Sequence, residues 1–232
     1  DGINAYAYNG NIAIFSNSVD TDGIDSDGIY AYAFFGTTYV SSSSVQTDGD
    51  FSTGIYAYGF TGATVESDFV NTEGDYSYGI YAIANYGTAS VDSFSVYTNG
   101  YASIGIAAVG FNGAYVESAF VNTEGDYADG IVAVSTGGSL ASVESYSVRT
   151  YGDYADGIVA IAQGYYDSGV AQAYAGSVYV NSTFVETSGY NAYGIVATAG
   201  GGDVEVYSGT VRTYGDFSTG IYAAAFNYYD SG

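Results

Sequence analysis

The chain repeats itself about every 26 residues, and this period constrains its fold more than any other feature. The pair Gly-Ile recurs with spacings of 25 to 27 residues and one of 37, at Gly2, Gly28, Gly54, Gly79, Gly105, Gly130, Gly157, Gly194 and Gly220. A fixed period of this length is typical of solenoids, in which each repeat forms one coil that stacks on the next.

Each repeat holds three segments with the period-two alternation of β-strands. The first is Ile-x-Ala directly after the anchor Gly, as at Ile55 and Ala57. The second is a β-branched residue with Ser two positions later, and the third is Val-x-Thr, as at Val70 and Thr72. We therefore predict a parallel, right-handed β-helix of about nine coils, with three short strands per coil and no helices.

The repeat array covers residues 1–232 as a single continuous solenoid, which we interpret as a fragment of a longer chain. Nearly all length variation falls between Ile-x-Ala and the next strand. The one long repeat carries its 11 extra residues there, and this predicts a variable loop around 164–177. That corner is the part of the coil where an insertion leaves the stacked strands in place.

The alternation also predicts which side chains point inward. Ile and Ala of the first segment, Val and Ser of the second and Val and Thr of the third would form stacked columns of small and β-branched residues. An unsatisfied buried hydroxyl costs about 1–3 kcal/mol, so the inward Ser and Thr columns need hydrogen-bond partners. Neighbouring hydroxyls or backbone groups are the expected partners.

The outward positions of the first strand are apolar as well, although alternation should make them polar. We call these positions the apolar stripe: Tyr30, Tyr32, Tyr56, Tyr58, Tyr81, Ile83, Val109, Val132, Val134, Val159, Ile161 and Tyr222. A stripe of this length exceeds the size at which exposed patches usually mark interaction surfaces. It predicts lateral association with other copies; the alternative is that tyrosine hydroxyls keep an outer aromatic column hydrated.

The charge balance excludes several classes of function. The chain has 25 acidic residues against Arg149 and Arg212, a net charge of −23, which rules out neutralising nucleic-acid phosphates and disfavours anionic lipid. No apolar stretch is long enough for a membrane span. His, Cys and Lys are absent, and the acids recur along the repeat rather than forming one catalytic pair. We predict that the chain is not an enzyme.

Acidic residues recur in two registers. Glu66, Asp92, Glu117 and Glu144 occupy one register on the second segment. The other register surrounds the glycine of Val-x-Thr-x-Gly, as at Gly74, which we call the second glycine corner. Oxygen-rich corners can hold Ca²⁺, so the candidate ligands are Asp48, Asp50, Glu73, Asp75, Glu124 and Asp126. The alternative is that these are solvated turn residues, which confer solubility and limit edge aggregation. No other cofactor is predicted.

Residues 208–223, SGTVRTYGDFSTGIYA, resemble repeats in the passenger domains of bacterial autotransporters and related filamentous adhesins. The resemblance implies a right-handed β-helix at a bacterial cell surface or outside the cell, with a role in adhesion or matrix formation. We expect an extracellular, self-associating fibre whose copies pair laterally and stack end to end. The alternative is an adhesin that binds glycans through acidic corners and their aromatic neighbours, Phe51, Tyr76, Tyr127, Tyr154 and Phe217.

Overall fold

In a computed structural model, which describes residues 1–166 and 173–226, the chain forms one parallel β-solenoid with no helix in these ranges. The predicted fold class is confirmed, with about eight turns of roughly 26 residues where about nine coils were predicted. The two counts differ because nine glycine anchors bound eight complete turns. The predicted loop at 164–177 lies partly outside the described residues, at 167–172.

Each turn contains one short strand and one long strand. The short strands are β1 (Ile3–Ala7), β3 (Ile29–Ala33), β5 (Ile55–Gly59), β7 (Ile80–Ala84), β9 (Ile106–Gly110), β11 (Ile131–Ser135), β13 (Ile158–Ala162) and β18 (Ile221–Phe226). The long strands are β2 (Ile12–Asp22), β4 (Thr37–Asp48), β6 (Gly62–Glu73), β8 (Thr88–Asn99), β10 (Ala114–Glu124), β12 (Ala141–Tyr151) and β16 (Gly176–Ser188). Strand β17 (Ile195–Thr213) combines both kinds, and β14 (Tyr165–Tyr166) pairs with β15 (Ala173–Tyr174).

Every solenoid strand pairs in parallel with its counterparts in the adjacent turns. Ile55 of β5, for example, aligns with Ile29 and Ile80, and Val65 of β6 aligns with Val40 and Val91. The sequence repeat and the structural register therefore coincide. As a result, each repeat position forms a column of equivalent side chains parallel to the solenoid axis, one strand spacing of about 4.8 Å apart.

The second and third predicted strands are one continuous strand with a bend, and here the prediction of three separate strands was wrong. In β4 the buried positions are Val40 and Ser42, followed by Val45 and Thr47. The step of three residues between Ser42 and Val45 marks the bend, and Ser43 has no aligned partner there. The backbone pairing resumes after one residue. The buried positions therefore shift by one residue along the strand, although no loop intervenes.

The hydrophobic core consists of columns of Ile, Val and Ala, as predicted. In one turn Ile131, Ala133, Ala141, Val143 and Val148 are all completely buried. These side chains are small or β-branched and suit the narrow space between the short and long strands.

The buried threonines of this column find backbone partners across the corner in most turns, and Thr187 is an exception without a partner. The hydroxyl of Thr123 donates to the carbonyl oxygen of Ala128 at 2.8 Å, and Thr72 and Thr98 make the same bond in their own turns. The serine column is less well satisfied, because the buried hydroxyls of Ser67, Ser93 and Ser118 have no hydrogen-bond partner. The expected partners thus exist for most of the buried threonines and not for these serines.

The anchor glycines lie where adjacent turns approach too closely for a side chain. A Cβ on Gly105 would lie 2.6 Å from the carbonyl oxygen of Gly130 and 2.6 Å from the Val121 side chain. At the same corner the N–H of Gly105 donates to Asp129 of the next turn at 2.9 Å, so the backbone ladder continues through the bend. Glycine is therefore required by the stacking of identical corners.

We predict that Gly105→Ala destabilises the solenoid by about 1–3 kcal/mol or more, because backbone and core side chains must shift to admit the methyl group. Gly62→Ala is the matched control, since a Cβ there would lie 3.7 Å from its nearest neighbours, and its effect should stay within about 0.5 kcal/mol. Urea unfolding gives both values from the transition midpoint. Equal effects of the two substitutions would contradict the close-approach explanation.

A second prediction concerns the hydroxyl columns within one turn. Thr123→Val should cost about 1–2 kcal/mol, because it leaves the carbonyl group of Ala128 without its donor. Ser118→Ala should leave stability unchanged or raise it, since the removed hydroxyl has no partner. Thermal melting of both variants tests the difference, and a larger loss for Ser118→Ala than for Thr123→Val would overturn the assignment.

Candidate association surface

The outward face of the short strands carries two side-chain columns that run the length of the solenoid. One column contains Tyr30, Tyr56, Tyr81, Ala107, Val132, Val159, Val196 and Tyr222 in successive turns. The other contains Tyr6, Tyr32, Tyr58, Ile83, Val109, Val134, Ile161 and Thr198. The structure therefore brings all twelve residues of the apolar stripe onto one face.

The aromatic half of the stripe is packed ring on ring. Tyr32 and Tyr58 stack with centroids 4.3 Å apart and planes 7° from parallel, and Tyr30 and Tyr56 stack at 4.9 Å and 6°. Tyr81 meets the Tyr56 ring edge-on at 5.7 Å. Such contacts add to the stability of neighbouring strands, and they form a smooth surface of half-buried rings.

No charged residue lies on the short strands that carry this face, or on the first five residues of β17, Ile195–Ala199. The short strands contain only apolar, Tyr, Gly, Ser, Thr and Asn residues over the described ranges. Burial, followed by the neighbouring tyrosines, raises the pKa of Tyr56, and burial raises that of Tyr81. These phenols stay protonated, so the stripe is uncharged in a chain of net charge −23.

Nothing within the described ranges forms a second layer over the stripe. Besides the solenoid strands, the structure there has only β14 and β15, which pair with each other. The sequence predicted the stripe because its apolar residues occupy both sides of the first strand. It did not predict that Tyr6 extends the column by one turn, because that repeat has Asn4 where the next has Tyr30.

The long strands carry a row of exposed acidic side chains, in contrast to the apolar stripe on the short strands. Glu66, Asp92, Glu117 and Glu144 align in consecutive turns, as their shared register predicted, and all four are exposed. The hydroxyl of Tyr39 donates to Glu66 Oε2 at 2.7 Å at the start of this row. These four acids therefore lie on the long strands and not on the short strands that carry the stripe.

Three of the six predicted calcium ligands at the second glycine corner accept a backbone hydrogen bond from the next turn. A carboxylate oxygen of Asp50 accepts the N–H of Asp75 at 2.9 Å, and Asp75 accepts that of Tyr101 at 2.8 Å. Asp126 accepts the N–H of Asp153 at 2.8 Å. Within the described residues no three acidic side chains converge as a metal site would require, and Asp48, Glu73 and Glu124 form no such group. Calcium binding stays a prediction.

The same corner holds aromatic residues in the left-handed backbone region. Phe51, Tyr76, Tyr127, Tyr154 and Phe217 have φ between 58° and 60°. This conformation is unfavourable for bulky side chains, so no sequence signal indicated it. Repeated stacking of the corner holds it in place, since the N–H of Phe51 donates to Asp75 in the next turn at 2.9 Å and Tyr127 does likewise to Asp153.

A third set of carboxylates, which the sequence pattern did not indicate, directly precedes the anchor glycines. Asp129 accepts the N–H of Asp156 at 2.8 Å, and Asp156 accepts that of Tyr193 at 2.7 Å. Burial raises the pKa of Asp129 to about 7, the hydrogen bond from Asp156 lowers it, and the Asp156 charge raises it further. Burial likewise raises the pKa of Asp156 and of Asp27.

We predict that the solenoid loses stability as pH rises from about 4 to about 7. In this range native Asp129 still holds the proton that the unfolded chain, with a pKa near 3.8, has released, so folding binds protons. Asp129→Asn keeps the acceptor oxygen and removes the charge. It should raise stability above pH 7 by about 1–3 kcal/mol, after allowance for partial exposure, and should flatten the pH profile.

Asp126→Asn is the matched control for that experiment, because Asp126 accepts the same kind of backbone bond at an exposed position. Melting temperatures between pH 4 and 8 compare the two variants with the unmodified chain. A profile that Asp129→Asn leaves as steep as before would show that this carboxyl does not control the pH dependence.

None of the described residues forms a helix long and apolar enough to cross a membrane. Comparison of the chain with protein-family models, with curated proteins and with solved structures gave no match in any of the three. The resemblance to autotransporter passenger domains thus has no matching family behind it. The structure itself shows that the chain is a repeat protein folded as a parallel β-solenoid.

Proposed function

We propose that this chain is an extracellular structural protein whose solenoids associate laterally through the apolar stripe to build a fibre. The observation that carries the proposal is the uncharged face of the short strands on a molecule with 25 acidic residues. Charge repulsion opposes association through every acidic surface, and the stripe is the long face on which two copies meet without opposing charges.

The dimensions of the stripe suit an interface between two copies. Nine stacked short-strand segments, separated by eight strand spacings, span about 38 Å along the axis, and a five-residue strand is about 17 Å long. Mating of two such faces would bury about 1,300 Å² in total, within the range of specific interfaces. Parallel in-register strands keep the two columns straight, so the same fit repeats in every turn.

The side chains favour an antiparallel arrangement of the two copies. Bulky tyrosines occupy the first half of the stripe, and smaller Val, Ile and Ala residues occupy the second as far as Val196, with the change at Ala107 and Val109 and with Tyr222 in the last turn. A two-fold axis at that turn places Tyr56 and Tyr58 of one copy against Val159 and Ile161 of the other. Large side chains then meet small ones. Parallel mating would instead place each turn against the same turn of the other copy, so that large side chains would meet large ones.

Glycan binding at the corner aromatics has weaker support. Phe51 stacks on Tyr76 at 5.2 Å with planes 4° from parallel, and Tyr127 stacks on Tyr154 at 5.0 Å and 5°. These ring faces contact each other and are not free to stack on a sugar. End-to-end stacking of copies stays a prediction of the repeat, and the extracellular location rests on the resemblance of the repeat to surface proteins.

We predict that Val134→Glu abolishes lateral association, because it places a carboxylate in the middle of the stripe of a strongly acidic chain. Ser142→Glu is the matched control, since Ser142 is a half-buried outward residue on the long strand of the same repeat. Sedimentation and electron microscopy report assembly. Assembly of Val134→Glu equal to that of the unmodified chain would refute the role of the stripe.

Orientation is tested with single cysteines, which the natural chain lacks. In the antiparallel arrangement Val109→Cys lies near the two-fold axis and should form a disulfide with its mate, whereas Val159→Cys faces Tyr56 and should not. Non-reducing electrophoresis after mild oxidation distinguishes the two. Disulfide formation by both variants would indicate parallel mating, and formation by neither would contradict mating through this face.

A further inference from the structure

The chain offers a one-electron oxidant a single kind of target. It contains 29 Tyr but no Cys, Met, Trp or His, the other side chains that oxidants commonly attack. Oxidising equivalents that reach this chain therefore accumulate as tyrosyl radicals. What those radicals do depends on how close the next tyrosine lies.

Five tyrosines form an unbroken column at the second glycine corner, which we call the corner tyrosine ladder: Tyr76, Tyr101, Tyr127, Tyr154 and Tyr190. Consecutive ring centroids lie 5.4, 5.4, 5.0 and 5.6 Å apart. Each side chain is between 41% and 49% exposed, so oxidants can reach it and the rings have room to turn. Phe51 and Phe217 continue the column beyond Tyr76 and Tyr190 and lack the phenol.

We propose that the corner tyrosine ladder is a site of oxidative dityrosine cross-linking between adjacent turns of one chain. The oxidant is hydrogen peroxide acting through a haem peroxidase. The site goes beyond the proposed fibre role, because each cross-link forms within a single solenoid. The phenylalanines at both ends of the ladder lack the phenol and limit its cross-links to the turns between them.

The reaction balances without any further reagent. Each of two phenols loses its O–H hydrogen, one electron and one proton, to the oxidised peroxidase. The two radicals then form a carbon–carbon bond between ring Cε atoms, and the hydrogens on those carbons return to the phenol oxygens. One hydrogen peroxide is reduced to two waters, and the protein loses two hydrogen atoms per cross-link.

The geometry places a coupling partner beside each tyrosine of the ladder. Tyr127 and Tyr154 are parallel, 5.0 Å apart and fixed on adjacent turns, so a radical on one ring always has a partner ring beside it. Both residues have left-handed backbone conformations held by the corner hydrogen bonds, which aim the two side chains in the same direction. A cross-link here closes a loop of one repeat and limits the freedom of the unfolded chain.

The test treats dilute full-length protein with peroxidase and hydrogen peroxide and follows dityrosine fluorescence. A protease that cleaves at acidic residues and mass spectrometry locate the linked peptides. We expect links between neighbouring ladder tyrosines, a protein that stays monomeric, and a higher melting temperature after oxidation. In the double variant Tyr127→Phe with Tyr154→Phe, only the Tyr76–Tyr101 contact remains of four, so ladder cross-links should fall roughly fourfold if the contacts react independently.

Tyr146→Phe is the matched control, because Tyr146 is 58% exposed and its ring contact is with Phe120 at 5.6 Å. It should leave the dityrosine yield unchanged. Cross-links spread evenly over exposed tyrosines, including Tyr146, would overturn the proposal, as would oxidation without any ladder link. Assembly is measured on unoxidised protein, so a failure of lateral association and a failure of cross-linking are distinguishable.

Discussion

Each residue of this solenoid sits one strand spacing from its counterpart in the adjacent turn, and the whole structure depends on keeping that register through the corners. A corner must bend the chain and still pair with the corners on either side. The column of anchor glycines makes this possible, because carbonyl oxygens of the next turn occupy the space where a Cβ would lie. Backbone hydrogen bonds then continue through the bends as well as along the strands.

Stacking of identical residues in adjacent turns stabilises the solenoid for some side chains and destabilises it for others. Val, Ile, Ala and the aromatic rings gain from identical neighbours, and these form the core and the stripe. Carboxylates repel when stacked. Several corner aspartates offset this cost by accepting a backbone N–H from the next turn, as Asp50 and Asp126 do. An acidic residue at such a corner is therefore part of the hydrogen-bonded ladder as well as a solubilising group.

The sequence predicted the features that depend on periodicity. The inward Ile, Val, Ala and Thr columns, the acidic row from Glu66 to Glu144 and the apolar stripe all follow from alternation and the anchor spacing. Features set by three-dimensional context were missed. The bend between Ser42 and Val45 keeps its ladder, the left-handed Phe51 and its equivalents oppose residue preference, and the environment of Asp129 depends on the neighbouring turn.

The long repeat shows what the variable corner can tolerate. Gly157 and Gly194 are 37 residues apart, yet β13 aligns with β17 and β12 aligns with β16 in the usual register on either side of the insertion. The stacked strands on either side thus keep their register despite the extra residues. Peptides inserted at this corner in successive turns would project from one side of a rigid rod at intervals of about 4.8 Å. Segments displayed on this scaffold would therefore have a fixed order and a fixed spacing.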